Sequence, residues 1–246
     1  MKLFADTANL TDIESALKKG FIQGITTNPS LLAKEPKSSF ESHIGQIVEL
    51  IKAYKNGIHL SVEVFSRNLD EIRRQANHFR DVLNYNQLSI KVQIGLEELE
   101  VIRKLKEDGF SVNCTCCMSV NQAIMAASSG ARYVSLFWGR IRDILSDTSM
   151  YGFHGFREAQ AKGALDTLDA DPAKVVSMTR ALLDKSYPSV KIIAGSIRKA
   201  TDVRDAGLAG AHIVTVPPKF FPQMATHFKT EEVVEQFLND FKKWLS

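Results

Sequence analysis

Cysteine is nearly absent: three thiols occur in 246 residues, all within Cys114-Thr115-Cys116-Cys117. An odd, clustered set makes no disulfide framework, so a reducing, cytoplasmic setting is expected. Neighbouring residues on a strand face opposite ways, and the two-residue gap and distant second pair of a zinc site are missing. The cysteines are therefore assigned to core or strand packing, and no metal is expected. Long apolar runs are lacking as well. Nothing approaches a membrane span, and the start, Met1-Lys2-Leu3-Phe4-Ala5-Asp6, holds no signal-type apolar segment, so no membrane partner is expected. Charge of one sign is also scarce. The formal net charge is +3, and pairs such as Lys18-Lys19, Arg73-Arg74 and Lys242-Lys243 are scattered. That speaks against a nucleic-acid partner and leaves room for a local anion site. No Gly-x-Gly-x-x-Gly follows the first strand-like run, so nothing points to a dinucleotide cofactor.

What is present is ordinary material for a core: 44% hydrophobic and 24% charged residues. Short apolar runs alternate with amphipathic ones from end to end. The strand candidates are Lys2–Asp6, Ile22–Thr26, His59–Phe65, Gln87–Gln93, Ser111–Cys116, Tyr133–Phe137, Lys191–Ala194 and His212–Thr215. They are mostly continuous, as expected of a parallel sheet covered on both faces. Helix starts are legible between them. Thr11-Asp12-Ile13-Glu14 and Ser119-Val120-Asn121-Gln122 have the form of capping boxes, and Asp171-Pro172 supplies an N-cap with proline after it. Gly20, Gly109, Gly130 and Gly207 are read as helix ends. Eight strands alternating with helices predict an α/β fold in a single domain over residues 1–246, a (β/α)8 or TIM barrel. The last stretch, residues 230–245, reads as an extra amphipathic helix with Val233, Val234, Phe237, Phe241 and Trp244 on one side.

A barrel of this kind builds its active site at the carboxyl ends of its strands. Those ends carry Asp6, Thr27 and Asn28, Glu63, Lys91, Asn113 and Thr115, Ser135, and Ser196 with Arg198. Lys91 stands out because it lies inside Leu88-Ser89-Ile90-Lys91-Val92-Gln93-Ile94, where a desolvated, unpaired ammonium costs several kcal/mol. A lysine so placed can serve as a nucleophile toward carbonyls. It can equally be structural, at an exposed strand end or in an ion pair with Glu63 or Asp6. Gly195-Ser196-Ile197-Arg198 follows the seventh strand and opens a helix, an arrangement that can cradle phosphate, with Arg140 as a second guanidinium. The plainer alternative is a capped helix with a solvent-facing arginine.

These segments resemble one family. Asp6-Thr7-Ala8 and Gly24-Ile25-Thr26-Thr27-Asn28-Pro29-Ser30 are similar to the opening of transaldolases and fructose-6-phosphate aldolases. Ser61-Val62-Glu63-Val64, Lys91, Val112-Asn113-Cys114-Thr115, Gln122-Ala123, Val134-Ser135-Leu136-Phe137-Trp138-Gly139-Arg140, Ser196-Ile197-Arg198 and Thr215-Val216-Pro217-Pro218 continue the likeness in order. The resemblance implies that Lys91 forms a Schiff base and that Asp6 handles the donor hydroxyl proton. It gives Glu63 and Thr115 the water of imine formation and hydrolysis. Thr27, Asn28, Asn113, Ser135 and Phe137 would contact or orient the substrate, and Arg140, Ser196 and Arg198 would grip a phosphate. Sugar phosphates are the implied substrates, and no cofactor is implied. The length is similar to the short, aldolase-like members, which implies a ring-like homo-oligomer such as a decamer with its C-terminal helix exchanged between subunits.

The chain departs from the family pattern in two places. Lys91-Val92-Gln93-Ile94-Gly95 stands where the family commonly has Lys-Ile/Val-Pro-x-Thr, and strand alternation places the Gln93 amide on the pocket floor beside Lys91. Leu136 and Gly195 stand where proline and alanine or serine are commoner. Glu63 and Phe137 resemble transaldolases, whereas simple aldolases have Gln and Tyr there. The expectation is therefore transfer of a dihydroxyacetone unit, with an aldolase releasing free dihydroxyacetone as the alternative. A non-catalytic sugar-phosphate-binding barrel is a third reading, resting on Gln93 and Gly95 alone.

Overall fold

A computed structural model of the chain describes residues 1–54 and 57–246. Eight parallel strands close into a barrel in chain order, each paired with its sequence neighbours and the last with the first. They are β1 (Lys2–Asp6), β2 (Gly24–Thr26), β3 (His59–Glu63), β4 (Leu88–Gln93), β5 (Ser111–Cys117), β6 (Tyr133–Phe137), β7 (Lys191–Gly195) and β8 (Ile213–Val216). The helices are α1 (Leu10–Lys19), α2 (Pro29–Leu32), α3 (Phe40–Tyr54), α4 (Leu69–Leu83), α5 (Glu98–Glu107) and α6 (Val120–Ser128). After these come α7 (Trp138–Asp143), α8 (Gly155–Ala161), α9 (Pro172–Ser186), α10 (Ala200–Leu208), α11 (Phe221–Ala225) and α12 (Phe228–Leu245). The predicted (β/α)8 barrel with an added C-terminal helix is the fold observed.

Strand alternation divides the apolar material. Residues that point outward, such as Leu60, Val62, Ile90, Val92, Val112, Val134, Leu136, Ile192 and Val214, pack under the helices in the main core. The barrel interior is more polar. Phe4, Ile193 and Ile213 form a small apolar layer with Tyr133 near its amino-terminal end. Gly24 leaves room for that layer: a Cβ there would lie 2.5 Å from the Phe4 ring. Above it Ser89 and Ser111 share a hydrogen bond of 2.7 Å. A second chain runs from His59 Nε2 to Ser61 Oγ (2.6 Å), which accepts from Asn113 Nδ2 (3.1 Å), while Ser135 Oγ donates to Asn113 Oδ1 (2.7 Å). Such a network leaves its buried polar members satisfied.

Two start-and-stop signals fall elsewhere than expected. Asn9, not Thr11, caps α1, its side chain accepting from the Asp12 amide at 3.0 Å. Gly207 lies within α10, and Gly210 follows that helix with φ of 104°. Gly207 is thus not a helix end, and the nearest neighbour a Cβ there would meet is the end of the exposed Met1 side chain. Ser119 with Gln122 forms the expected capping box, and Asp171 caps α9 ahead of Pro172. Among the described residues no helix is long and apolar enough to cross a membrane.

Candidate active site

The carboxyl ends of the strands surround a cavity of about 420 Å³. Its wall includes Asp6 from β1, Glu63 from β3, Lys91 from β4, Thr115 and Cys116 from β5, and Ser135 and Phe137 from β6. Asn28, Arg140, Ser196 and Arg198 complete it from the loops and helix starts above. Ten of the sequence-predicted site residues thus meet in one place. Thr27 and Asn113 are fully buried and lie behind that wall. The Thr27 carbonyl and the Asn113 amide serve the cavity through Lys91 and Ser135 respectively.

Lys91 is only 5% exposed. Its Nζ donates to Glu63 Oε2 at 2.7 Å and to the Thr27 carbonyl at 2.8 Å. The Glu63 contact follows from the register, which pairs Glu63 with Lys91 across adjacent strands. The two readings offered for Lys91 in the sequence do not exclude each other: Glu63 offsets the burial of an amine that lies at a cavity wall. Asp6 accepts from Thr26 Oγ1 at 2.8 Å, and Thr26 shares a 2.6 Å hydrogen bond with Thr215. Burial pushes the Asp6 carboxyl up, and the nearby Lys91 charge and the Thr26 hydrogen bond pull the other way without cancelling it. Thr115 Oγ1 is buried and has no hydrogen-bond partner among the described residues. A buried hydroxyl left unsatisfied at the wall of a polar cavity is a place for water or a substrate oxygen.

The outer rim is cationic. Arg140 is exposed, and Arg198 makes one exposed ion pair, NH2 to Asp143 Oδ2 at 3.2 Å. Two amides at the entry to α10 are already engaged, as in the plainer capped-helix alternative. Arg198 N and Lys199 N both donate to Asp202 Oδ2, at 2.9 and 3.1 Å, and Arg142 holds the other carboxylate oxygen at 2.6 Å. Gly139 brings the two rim loops together: its amide donates to the Ser196 carbonyl at 3.0 Å, and a Cβ there would lie 2.2 Å from that oxygen. Ser196 itself adopts φ of 57°, strained for a residue with a side chain.

The chain matches the family model described as Transaldolase/Fructose-6-phosphate aldolase over residues 3–245. A probable transaldolase of Symbiobacterium thermophilum is 34% identical over 242 residues, covering 98% of this chain and 97% of that protein. Probable transaldolase 2 of Bacillus anthracis is 35% identical over 244 residues, covering 99% and 98%. A probable transaldolase of Alkaliphilus metalliredigens is 34% identical over 242 residues, with 98% of each chain covered. The chain belongs to the transaldolase/fructose-6-phosphate aldolase family.

Within that family its unusual residues find a local explanation. Gln93 does not sit on the cavity floor, as strand alternation suggested. Its Nε2 donates to the Ser66 carbonyl at 2.9 Å and to Glu98 Oε1 at 3.2 Å, away from the amine. Gly95 makes room for that carboxylate, since a Cβ there would lie 2.0 Å from Glu98 Oε2. Neither residue lines the cavity, which removes the basis for reading them as damage to the site. Leu136 is buried on the outward face. Gly195 does line the cavity, and an added methyl would meet Thr215 and Phe137 only at ordinary contact distance.

Sequence reasoning missed Cys116. Strand packing holds for Cys114 and Cys117, which are fully buried, but Cys116 lines the cavity. The β5–β6 register slips between Cys114 and Cys117, and Cys116 has φ of 62°. A bulge of this kind breaks the alternation on which the reading relied. Burial, with the Glu63 charge, pushes the Cys116 thiol up, so at neutral pH it is a thiol and not a thiolate.

Proposed function

We propose that this family member is a transaldolase, moving a three-carbon dihydroxyacetone unit between sugar phosphates through a Schiff base on Lys91. The observation that carries the proposal is a nearly buried lysine amine bonded to Glu63 at a cavity wall, with the orphaned Thr115 hydroxyl on the same wall. Lys91 passes a proton to Glu63, and the free Nζ adds to the ketose carbonyl carbon. The resulting carbinolamine loses its hydroxyl as water, with Glu63 and a water at Thr115 relaying protons. In the iminium so formed, Asp6 takes the proton of the hydroxyl on the far carbon of the bond to be cut, which becomes the carbonyl of the departing aldehyde. That carbon–carbon bond breaks, its electrons enter the iminium to give an enamine, and an aldehyde leaves. The enamine then adds to a second aldehyde, Asp6 returns the proton to the new alkoxide, and water releases the longer ketose. Arg140 and Arg198 hold the phosphate at the rim, and Ser135 and Asn28 orient hydroxyls.

The adduct must wait for its acceptor, so the site should lack an acid that protonates the enamine carbon. Phe137 at the wall offers no proton, and Gln93 is turned to Ser66 and Glu98. The test is the ratio of free dihydroxyacetone to transferred product, measured in wild type and Phe137→Tyr. Transfer should dominate in wild type, and the tyrosine should raise release several-fold. Release as the main wild-type product would make the protein an aldolase.

The same resemblance, together with α12, leads us to propose a homo-oligomer. No residue of α12 is buried, although Phe228, Phe237, Leu238, Phe241 and Trp244 are all large and apolar. A groove of about 700 Å³ lined by Leu3, Ala16, Phe21, Phe221 and Met224 is also apolar. A second copy that covers α12 removes this surface from water.

A further inference from the structure

Four cations from distant parts of the chain meet at the amino-terminal mouth of the barrel, on the face opposite the reactive lysine. Lys2 opens β1, Lys191 opens β7, Arg132 precedes β6, and Arg180 reaches across from α9. They line a cleft of about 500 Å³, within the size range of small-molecule sites. Among the described residues no aspartate or glutamate lines it. Elsewhere on the surface arginines mostly sit against carboxylates, as Arg73, Arg74, Arg103 and Arg142 do. Here only Arg180 has such a partner, Asp184 at 2.7 Å. Among the described residues Lys2, Arg132 and Lys191 have none, so three like charges share one concavity uncompensated.

Two histidines deepen the site. His59 is buried between Phe4 and Tyr133, with ring centroids 5.1 and 4.8 Å away. His212 Nδ1 accepts the Ile192 amide at 3.0 Å, so the proton of its neutral ring sits on Nε2, as a donor. Burial holds both histidines at about 4, helped by Lys2 at His59 and by Arg180 and Lys191 at His212. The cations of the cleft thus add to the effect of burial on its own lining. The solvated-rim alternative leaves unexplained why the cations converge on a concavity and the carboxylates stay out of it. Substrate phosphate does not explain it either, because the catalytic cavity opens at the other end of the strands.

We propose that this cleft is a second binding site, for a small multiply charged phosphoanion. Arg132 supplies a planar donor fork and Lys2 and Lys191 supply mobile point charges, a set suited to the several oxygens of a diphosphate or bisphosphate. A phosphorylated metabolite and inorganic pyrophosphate share this chemistry.

Inorganic pyrophosphate, in metal-free buffer at low salt, is the probe, followed by isothermal titration calorimetry on the full-length protein. The catalytic rim also offers arginines, so the titration starts from Arg140→Ala/Arg198→Ala. This variant should still bind one pyrophosphate per chain. Adding Lys2→Ala and Arg132→Ala should weaken that binding at least ten-fold while circular dichroism and melting temperature stay unchanged, since both residues are exposed. Fructose 1,6-bisphosphate in competition separates the two sources: displacement at lower concentration than pyrophosphate marks an organic bisphosphate site, and weaker displacement marks the inorganic ion. The proposal is overturned if the rim variant binds no pyrophosphate, or if binding persists undiminished without Lys2 and Arg132. Neither result touches the chemistry proposed for Lys91.

Discussion

Burial holds the Asp6 carboxyl above the usual carboxylate range, against Lys91 and the hydrogen bond from Thr26. A carboxyl whose folded pKa is raised costs no stability when it is protonated in both states. The cost grows as pH rises through the ordinary and then the raised value, and it is complete above both. Ionising Asp6 therefore destabilises the fold, a cost that its proposed proton transfer would explain. Asp6→Asn should abolish turnover and raise the melting temperature at pH 7, and the gain should shrink toward acid pH. A variant that melts below wild type at pH 7 would contradict this. Asp6, Glu63 and Lys91 were legible because ionisable groups interrupt apolar strand runs, where no packing reason places them. Cys116 was not, because its approach to the cavity depends on a left-handed backbone that no local residue pattern signals. Thr27 and Asn113 could be placed at strand ends, but whether a side chain meets substrate or supports a neighbour depends on the register across the barrel.

Gln93, Gly95 and Glu98 act together across the end of β4 and the start of α5. The Gln93 amide ties this segment to the loop after β3 through the Ser66 carbonyl, and Gly95 gives the Glu98 carboxylate its place. Gly95→Ala should push that carboxylate off Gln93 at a cost of about 1 kcal/mol, the scale of one hydrogen bond. Glu98→Ala should cost about as much, and the double variant should cost little more than either, giving a coupling of about 1 kcal/mol in urea denaturation. Strict additivity would show that the three residues are independent. The strands themselves were legible from short apolar runs, with ends accurate to a residue or two. Helix starts were harder where two capping residues compete: Asn9 precedes α1 and Thr11 lies in its first turn, and position decides between them. Asp202 shows the same limit. A carboxylate near a helix start looks like ordinary capping in sequence, and only its position reveals that it takes the Arg198 and Lys199 amides, choosing between the two readings left open for them.

The alternation of eight strands with helices made the barrel legible as a whole, because few architectures accommodate that pattern. What surrounds the barrel was less so, since an amphipathic helix reads alike whether its apolar side meets its own core or another chain. In α12 the apolar side meets neither within this chain. Sedimentation should therefore find several subunits per particle, and Phe237→Glu/Phe241→Glu should shift it toward the monomer. An unchanged mass, or a monomeric wild type, would remove the proposed interface. The central claim concerns one amine in the assembled protein. Wild type incubated with fructose 6-phosphate and reduced with borohydride should gain the mass of a reduced dihydroxyacetone or ketose phosphate adduct. Peptide mapping should place that adduct on Lys91, and folded Lys91→Met should gain none. An adduct on another lysine, or no adduct while wild type turns over, would contradict the account.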